Sequence, residues 1–133
     1  MPQREIEVIL TRQLASYLML PIFIVDSDGT LVFYNEPAEK ILGHRFDETG
    51  EMPADEWAAI YMLPNGEPGK VSPDKLPLMI ALRERRPAHG RLAIHGRDNV
   101  RRDIEVTAFP LDGQAGRHLG AVAIFWEVPR SNG

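Results

Sequence analysis

The sequence contains no cysteine, and this absence excludes several kinds of chemistry. The chain can form no disulfide, no thiolate metal site and no cysteine nucleophile. It also lacks a run of about 20 apolar residues that could span a bilayer. Residues 1–14 interleave charged and apolar side chains, unlike a signal peptide. We therefore expect a soluble, cytoplasmic protein with no membrane partner.

An excess of positive charge is lacking as well. The formal net charge is −4, whereas domains that bind nucleic acid are usually basic because phosphate neutralisation supplies most of their affinity. The two local basic clusters are Arg83, Arg85 and Arg86, and Arg97, Arg101 and Arg102. The first ends a predicted helix and the second flanks a predicted hairpin, positions typical of solvated surface. We expect no direct contact with nucleic acid.

Apolar side chains make up 44% of the 133 residues, which is enough to bury the core of one domain. The domain is predicted over residues 20–128, with a flanking segment at 1–19 and a loose tail at 129–133. In the flanking segment, apolar residues recur at helical spacing over residues 6–18. We expect an amphipathic helix there, which either covers the domain's own sheet or pairs with a second copy.

Five segments are predicted to be β-strands because β-branched and aromatic residues are concentrated in them and turn residues bound them. They cover residues 21–26, 31–35, 90–95, 101–109 and 119–128. The Asp28-Gly29 turn joins the first two into a hairpin, and short turns join the last three into an antiparallel meander. The last segment is apolar on both faces, as expected of a central strand.

Helices are predicted between the two groups of strands. Pro37 fits the first turn of a helix that Gly43 ends, and one or two short helices follow, the clearer one around Trp57. A further helix is predicted over residues 76–85, after a proline- and glycine-rich loop at 64–75. The fold class is therefore α+β: a five-stranded antiparallel sheet with helices on one face.

Short runs of sequence, taken in order, point to a known family. They are IVDSDG (24–29), YNEPA (34–38), ILG (41–43), PL (77–78), AL (81–82), TAFPL (107–111) and GAV (120–122). Together they resemble the PAS domain family over residues 20–128, and the N-terminal helix resembles the flanking helix of that family.

The resemblance implies a sheet that curls around a small pocket roofed by helices. PAS domains bind small ligands or cofactors, dimerise, and pass a conformational bias to effectors. We therefore expect a signal-sensing and protein-interaction module that binds a small apolar ligand or a partner protein. Its role would lie in signal transduction or transcriptional regulation, with a separate signalling protein as effector.

Two cofactor-binding branches of the family can be tested against the residues. The light-sensing branch uses a cysteine that this chain lacks, and places amide side chains on the last two strands. The matching positions here, Ile104 and Val122, are apolar and would leave the polar edge of a flavin unpaired. The haem-binding branch uses a histidine on the helix before the last three strands, and the predicted helix 76–85 has none. We expect no cofactor.

Metal binding is not expected either. The four histidines, His44, His89, His95 and His118, fall in predicted loops or strands and are interpreted as single surface side chains. His89 and His95 share a strand face, but six residues of extended chain separate them by roughly 20 Å, too far to share an ion.

Candidate ligand-binding residues are apolar side chains on one face of the predicted sheet, joined by one from the last helix. They are Phe23, Val25, Leu82, Ile104, Val106, Ala108, Val122 and Ile124. The small residues Ala108 and Gly120 are predicted to leave a cavity for a small, mostly apolar ligand. A filled core is the alternative interpretation of the same residues.

Candidate dimerisation residues form the apolar stripe of the N-terminal helix. They are Ile6, Leu10, Leu14 and Tyr17. Burying each large side chain is worth roughly 1.5–3 kcal/mol, so we expect a homodimer through this helix, with the outer sheet face contributing.

An enzyme is the alternative from a different functional class. A small isomerase on the same kind of fold would need a buried carboxylate as base. The face that reads Ile104, Val106 and Ala108 offers no titratable group, and we therefore expect no catalytic activity.

Overall fold

The computed structural model describes residues 6–63, 76–96 and 100–129. The strands of these residues form one antiparallel sheet in the order β2-β1-β6-β5-β4-β3. Their bounds are β1 Ile22–Asp26, β2 Leu31–Tyr34, β3 Met62–Leu63, β4 Ala88–His95, β5 Arg101–Asp112 and β6 His118–Glu127. The predicted α+β fold with five antiparallel strands is confirmed, and the two-residue strand β3 extends the sheet beyond β4.

The helices of the described residues carry the labels α1 to α5. Their bounds are α1 Ile6–Tyr17, α2 Glu36–Leu42, α3 Phe46–Thr49, α4 Ala54–Tyr61 and α5 Pro77–Glu84. Gly43 ends α2 in a left-handed conformation with φ of 80°, as its position predicted. None of the helices that the structure describes is long and apolar enough to cross a membrane.

The β1–β2 hairpin is held by the aspartate that opens its turn. One carboxylate oxygen of Asp26 accepts hydrogen bonds from the backbone N–H groups of Asp28 (2.9 Å) and Thr30 (3.1 Å). An aspartate side chain that accepts from the backbone N–H two residues on is typical of such turns. Further along the hairpin, Phe23 lies opposite Tyr34.

Two hydrophobic cores lie on opposite faces of the sheet. The larger one is enclosed between the concave face and the helices, with contributions such as Leu42 from α2, Trp57 from α4 and Leu82 from α5. The smaller one lies on the outer face, where Val8 and Ala15 of α1 are buried among sheet residues. The helices that follow β2 therefore lie on one face, as predicted, and the flanking helix α1 covers part of the other face of the domain's own sheet.

Asn35 ties α1 to the rest of the domain. Its side chain is 1% exposed, and its Oδ1 accepts from the N–H groups of Ile22 (3.0 Å) and Ala38 (3.3 Å). Its Nδ2 donates to the carbonyl oxygens of Ala15 and Leu20, each at 2.9 Å. One side-chain amide thus makes hydrogen bonds to backbone groups at the end of α1, next to and at the start of β1, and in the first turn of α2. These four bonds use both of its donor hydrogens and both lone pairs of its oxygen.

Parts of the sequence interpretation lie outside the described residues. These are residues 1–5 of the flanking segment, the loop 64–75, residues 97–99 of the predicted turn between β4 and β5, and most of the tail.

Candidate functional site

A cavity lies between the concave face of the sheet and the helices. The described residues that line it are Phe23, Leu42, Trp57, Leu76, Pro77, Leu78, Leu92, Ile94, Ile104, Val106, Ala123 and Phe125. They come from β1, β4, β5 and β6 on one side and from α2, α4 and the start of α5 on the other. The site is thus built where the sheet meets its helical cover, as the family resemblance implied.

The chemistry of the described lining is wholly apolar. Trp57 has the one polar side-chain atom among these residues, and its Nε1–H donates to the carbonyl oxygen of Gly29 at 3.0 Å. Its ring packs edge-on against Phe23, with ring centroids 5.0 Å apart. The described lining offers no carboxylate, so it gives the enzyme alternative no base.

The cavity has a volume of about 40 Å³. A single water needs roughly 10–15 Å³, whereas sites for drug-sized ligands measure roughly 300–1,000 Å³. An apolar cavity of this size disfavours water, because it has no polar partners to offer, and accepts a molecule of very few heavy atoms. A longer ligand requires side chains of the lining to move.

Six of the predicted ligand-binding residues lie on the concave side. Phe23, Ile104 and Val106 line the cavity itself. Val25, Leu82 and Ala108 are buried in the same core but are absent from the described lining. Val25, Leu82 and Ala108 are therefore placed as the filled-core interpretation describes, packed in the core and not on the described cavity wall.

The placement predicted for Val122 and Ile124 is wrong. In an antiparallel sheet, residues directly opposite each other point to the same face. Phe23 lies opposite Ala123, whereas Val122 lies opposite Ile24. Both predicted residues therefore belong to the outer core beneath α1, and Ala123 and Phe125 of β6 line the cavity in their place. The cause is the composition of β6, which is apolar on both faces, so its alternation carries no signal.

The position of Val122 removes one of the observations that disfavoured a flavin. Val122 faces away from the cavity, so its apolar character says nothing about the chemistry inside. Ile104 does line the cavity, and the missing cysteine is a property of the sequence. These two observations still argue against a flavin adduct.

Several lining residues were missed by sequence analysis. Trp57 was noted as the centre of a short helix, but its burial at 0% exposure was not predicted. Leu92 and Ile94 alternate along β4 and could have been found, since Leu92 lies opposite Ile104. Leu76 and Pro77 precede or begin α5, where no periodic pattern indicates a face.

The histidines are arranged as single side chains. In the described part of the chain, no group of three or more histidine, aspartate or glutamate side chains could hold a metal ion. His89 is exposed, with its Nδ1 3.0 Å from the hydroxyl of Thr107. His95 and His118 are half-buried rather than on the surface. The helix α5 carries no histidine toward the cavity.

One end of the concave face is charged. Arg102 lies directly opposite Ile94, and Glu127 lies directly opposite Ile104, so both charges share the face of the cavity. The Nε of Arg102 is 3.9 Å from Oε1 of Glu127, and its Nη1 donates to the carbonyl oxygen of Ile41 at 3.3 Å. The guanidinium therefore bridges the sheet and α2 beside Leu42.

Aromatic contacts connect the cavity wall with α1. Phe23 stacks on Tyr34 with centroids 6.0 Å apart, and Tyr34 packs edge-on against Phe46 at 5.4 Å. The guanidinium carbon of Arg12, on α1, lies 4.9 Å from the centroid of Phe33 and 5.9 Å from that of Phe46. Phe46 packs against Phe33 as well, so these contacts pass around the edge strand β2 from the concave face to the outer face.

The predicted dimerisation residues lie on the solvent side of α1. Ile6, Leu10, Leu14 and Tyr17 are between 55% and 77% exposed, and Met19 beyond them is 86% exposed. The face that packs on the sheet is the opposite one, where Ala15 is small enough for its carbonyl to reach Asn35. The domain by itself thus leaves the larger apolar side chains of α1 in water.

An antiparallel sheet with an apolar cavity between one of its faces and the helices packed on it defines the class of the domain as α+β. The model of the family described as PAS fold matches residues 17–131, and the chain belongs to this family. PAS domains are typically sensory and signal-transduction modules.

Solved structures of PAS domains are similar to the chain in fold. The PAS domain of a protein from Colwellia psychrerythraea has a TM-score of 0.66 at 16% identity, covering 91% of this chain and 96% of that one. The PAS domain of BvgS from Bordetella pertussis has a TM-score of 0.61 at 14% identity, covering 93% and 87%. The LOV protein of Rhodobacter sphaeroides has a TM-score of 0.71 at 14% identity, covering 96% and 71%. The chain matches no curated protein at significant similarity.

Proposed function

We propose that the chain is a non-catalytic sensory module that binds a small apolar ligand in the cavity. It forms a homodimer through α1 and acts on a separate signalling protein, in signal transduction or transcriptional regulation. The observation that carries the proposal is the cavity, whose described walls are apolar and come from both the sheet and the helices. The aromatic contacts from Phe23 around β2 to Arg12 give a packed route by which a change at the cavity would bias α1.

The cavity can be filled from one strand position. Ala123 lines it and is 4% exposed, so Ala123→Val adds two carbons at the wall. We expect the variant to keep or slightly raise the melting temperature of the parent and to lose at least about tenfold in affinity for xenon and small hydrocarbons, which favour dry apolar cavities. Thermal-shift and xenon NMR titrations of both proteins would measure this.

Ala121→Val is the matched control, two residues away on the same face. Ala121 is 0% exposed and packed in the same core but absent from the described lining. The added carbons have no space there, so overpacking should cost about 1–3 kcal/mol while probe binding by the folded protein persists. If the parent binds none of the probes, the cavity is no ligand site and a pure protein-interaction module is the remaining interpretation.

The exposed apolar stripe of α1 supports the proposed dimer. Removing the whole helix would also uncover Ile24 and Val122 of the outer core, so a truncation confounds association with folding. Leu14→Glu is sharper, because Leu14 is 59% exposed and a charge there is harmless in a monomer but buried in a helix-paired dimer. We expect the parent to scatter light as a dimer and Leu14→Glu as a monomer with an unchanged circular dichroism spectrum.

Ser16→Glu adds the same charge at another exposed position of α1. At about 100° of helix rotation per residue, Ser16 lies to one side of the Ile6, Leu10, Leu14, Tyr17 stripe, so this variant should leave the dimer intact. A Leu14→Glu variant that remains a dimer at the same concentration would place the interface elsewhere.

A further inference from the structure

The charged end of the concave face bears on which ligands the cavity accepts. On β4, β5 and β6, the described side chains on this face include the apolar residues Ile94, Ile104 and Phe125. At the start of β5 and the end of β6, the side chains on the same face are the charged residues Arg102 and Glu127. Arg102 has lining residues on three sides. It lies opposite Ile94 of β4 and two residues before Ile104 on β5, and it donates a hydrogen bond to the carbonyl oxygen of Ile41, the residue before Leu42. Arg102 is not itself one of the lining residues, but it is the next side chain on the same face of β5 beyond Ile104 and lies opposite Ile94.

The two members of the ion pair are held unequally. The Arg102 side chain is 21% exposed, whereas that of Glu127 is 56% exposed. Arg102 is anchored on α2 through the Ile41 carbonyl, while Glu127 is the last residue of β6. Their separation of 3.9 Å exceeds hydrogen-bond distance. The arginine is thus the fixed partner and the glutamate the movable one.

We propose that Arg102 and the cavity form a single bipartite site for a small amphipathic anion, an alkyl or aryl carboxylate whose apolar part enters the cavity. The carboxylate replaces Glu127 beside the Nε of Arg102, where the planar guanidinium offers donors that match carboxylate geometry. Glu127 swings into solvent, at little cost because its side chain is already more than half exposed. A cationic head group is disfavoured, since it would lie against the anchored arginine.

The inference deepens the proposed function and rests on it, so the experiment has to separate the two. The probes are two homologous series, straight-chain carboxylates from propanoate to octanoate and the alcohols of equal length. Calorimetric titration and chemical-shift mapping give the affinity of each. We expect both series to bind and each carboxylate to bind at least about tenfold tighter than its alcohol, because hydrogen bonds to charged groups are stronger than those between neutral groups.

Arg102→Gln should abolish the preference for the carboxylate while the alcohol of equal length keeps its affinity, which also shows that the variant is folded. Arg102→Lys should restore part of the preference, since it keeps the charge without the fork of donors. Glu127→Gln should strengthen carboxylate binding, because the competing anion is gone. Arg101→Gln is the matched control, since Arg101 lies on the other face of β5 opposite His95 and pairs with Asp103, and it should change neither series.

The possible results distinguish the ligand site itself from the role of Arg102. If neither series binds the parent, the ligand site itself is absent and the proposed function fails with the inference. If alcohols and carboxylates bind equally, or if Arg102→Gln leaves the preference intact, the cavity binds ligands and the assignment of Arg102 is wrong.

Discussion

Replacing Gly120 by alanine is expected to prevent stable folding. Gly120 lies on β6 with φ of 152°, directly opposite Asp26 of β1. A Cβ there would overlap the carbonyl oxygen of Val25 and lie 2.9 Å from the Cα of Asp26. These are backbone atoms of the neighbouring strand, so no side-chain rotation relieves the overlap and the β1–β6 pairing must open. We expect a loss of at least about 4 kcal/mol, which is comparable to the whole stability of many domains.

Gly116→Ala separates this overlap from the conformational cost alone. Gly116 lies in the turn between β5 and β6 with φ of 72°, and a Cβ there meets no atom within 4 Å. The cost should be only the left-handed conformation, about 1–2 kcal/mol, and Ala115 beside it already has a positive φ. Circular dichroism tests whether each variant is folded, and urea unfolding of the parent and of any variant that folds gives the difference in stability. Two variants of equal stability would mean that β1 and β6 separate without penalty at this point.

The role of Gly120 could not be derived from the sequence. A small residue on a strand indicates either space for a ligand or close approach of another backbone, and the sequence does not distinguish them. The first interpretation predicts space beside Gly120 and Ala108. The structure instead places the Val25 backbone against Gly120 and leaves Ala108 off the described lining.

Local signals predicted most of the fold because they act within a few residues. The Asp28-Gly29 turn, Pro37 in the first turn of α2 and Gly43 at its end each act through backbone conformation, and each lies where the pattern indicated. The alternation of β5 identified Ile104 and Val106 as cavity residues because its other face is polar at Asp103 and Glu105.

Nonlocal placement was harder to predict. The face of β6 depends on its register with β1, which no residue within the strand encodes when both faces are apolar. For α1 the periodicity predicted a helix but not its orientation. The larger apolar stripe faces solvent and the pair Val8 and Ala15 faces the sheet. The Ala15 carbonyl accepts a hydrogen bond there from Asn35, the N-cap residue of α2, a contact that the periodicity of α1 does not encode.

Asn35→Ala is the second substitution with a large expected effect. It removes two acceptor and two donor contacts at once: the N–H of Ile22 and the carbonyl of Leu20 lose the Asn35 amide, and the carbonyl of Ala15 keeps only the bond from the N–H of Leu18. Each buried group left unsatisfied costs roughly 1–3 kcal/mol, so we expect a loss of about 3–5 kcal/mol in the free energy of unfolding. Ser16→Ala on α1 removes a single exposed hydrogen bond, to the Arg12 carbonyl, and should stay within about 0.5 kcal/mol of the parent.

Asn35→Asp separates the contribution of the accepting oxygen of the Asn35 amide from that of its donating nitrogen. The carboxylate keeps the acceptors for Ile22 and Ala38 but replaces the donor to Ala15 and Leu20 by an oxygen that repels their carbonyls. We therefore expect α1 to detach while the sheet and α2 persist. Hydrogen exchange should rise in α1 and stay protected in β1 and β6, and the dimer should be lost, as is expected of Leu14→Glu. If exchange instead rises uniformly, Asn35 supports the global fold and the orientation of α1 does not depend on it.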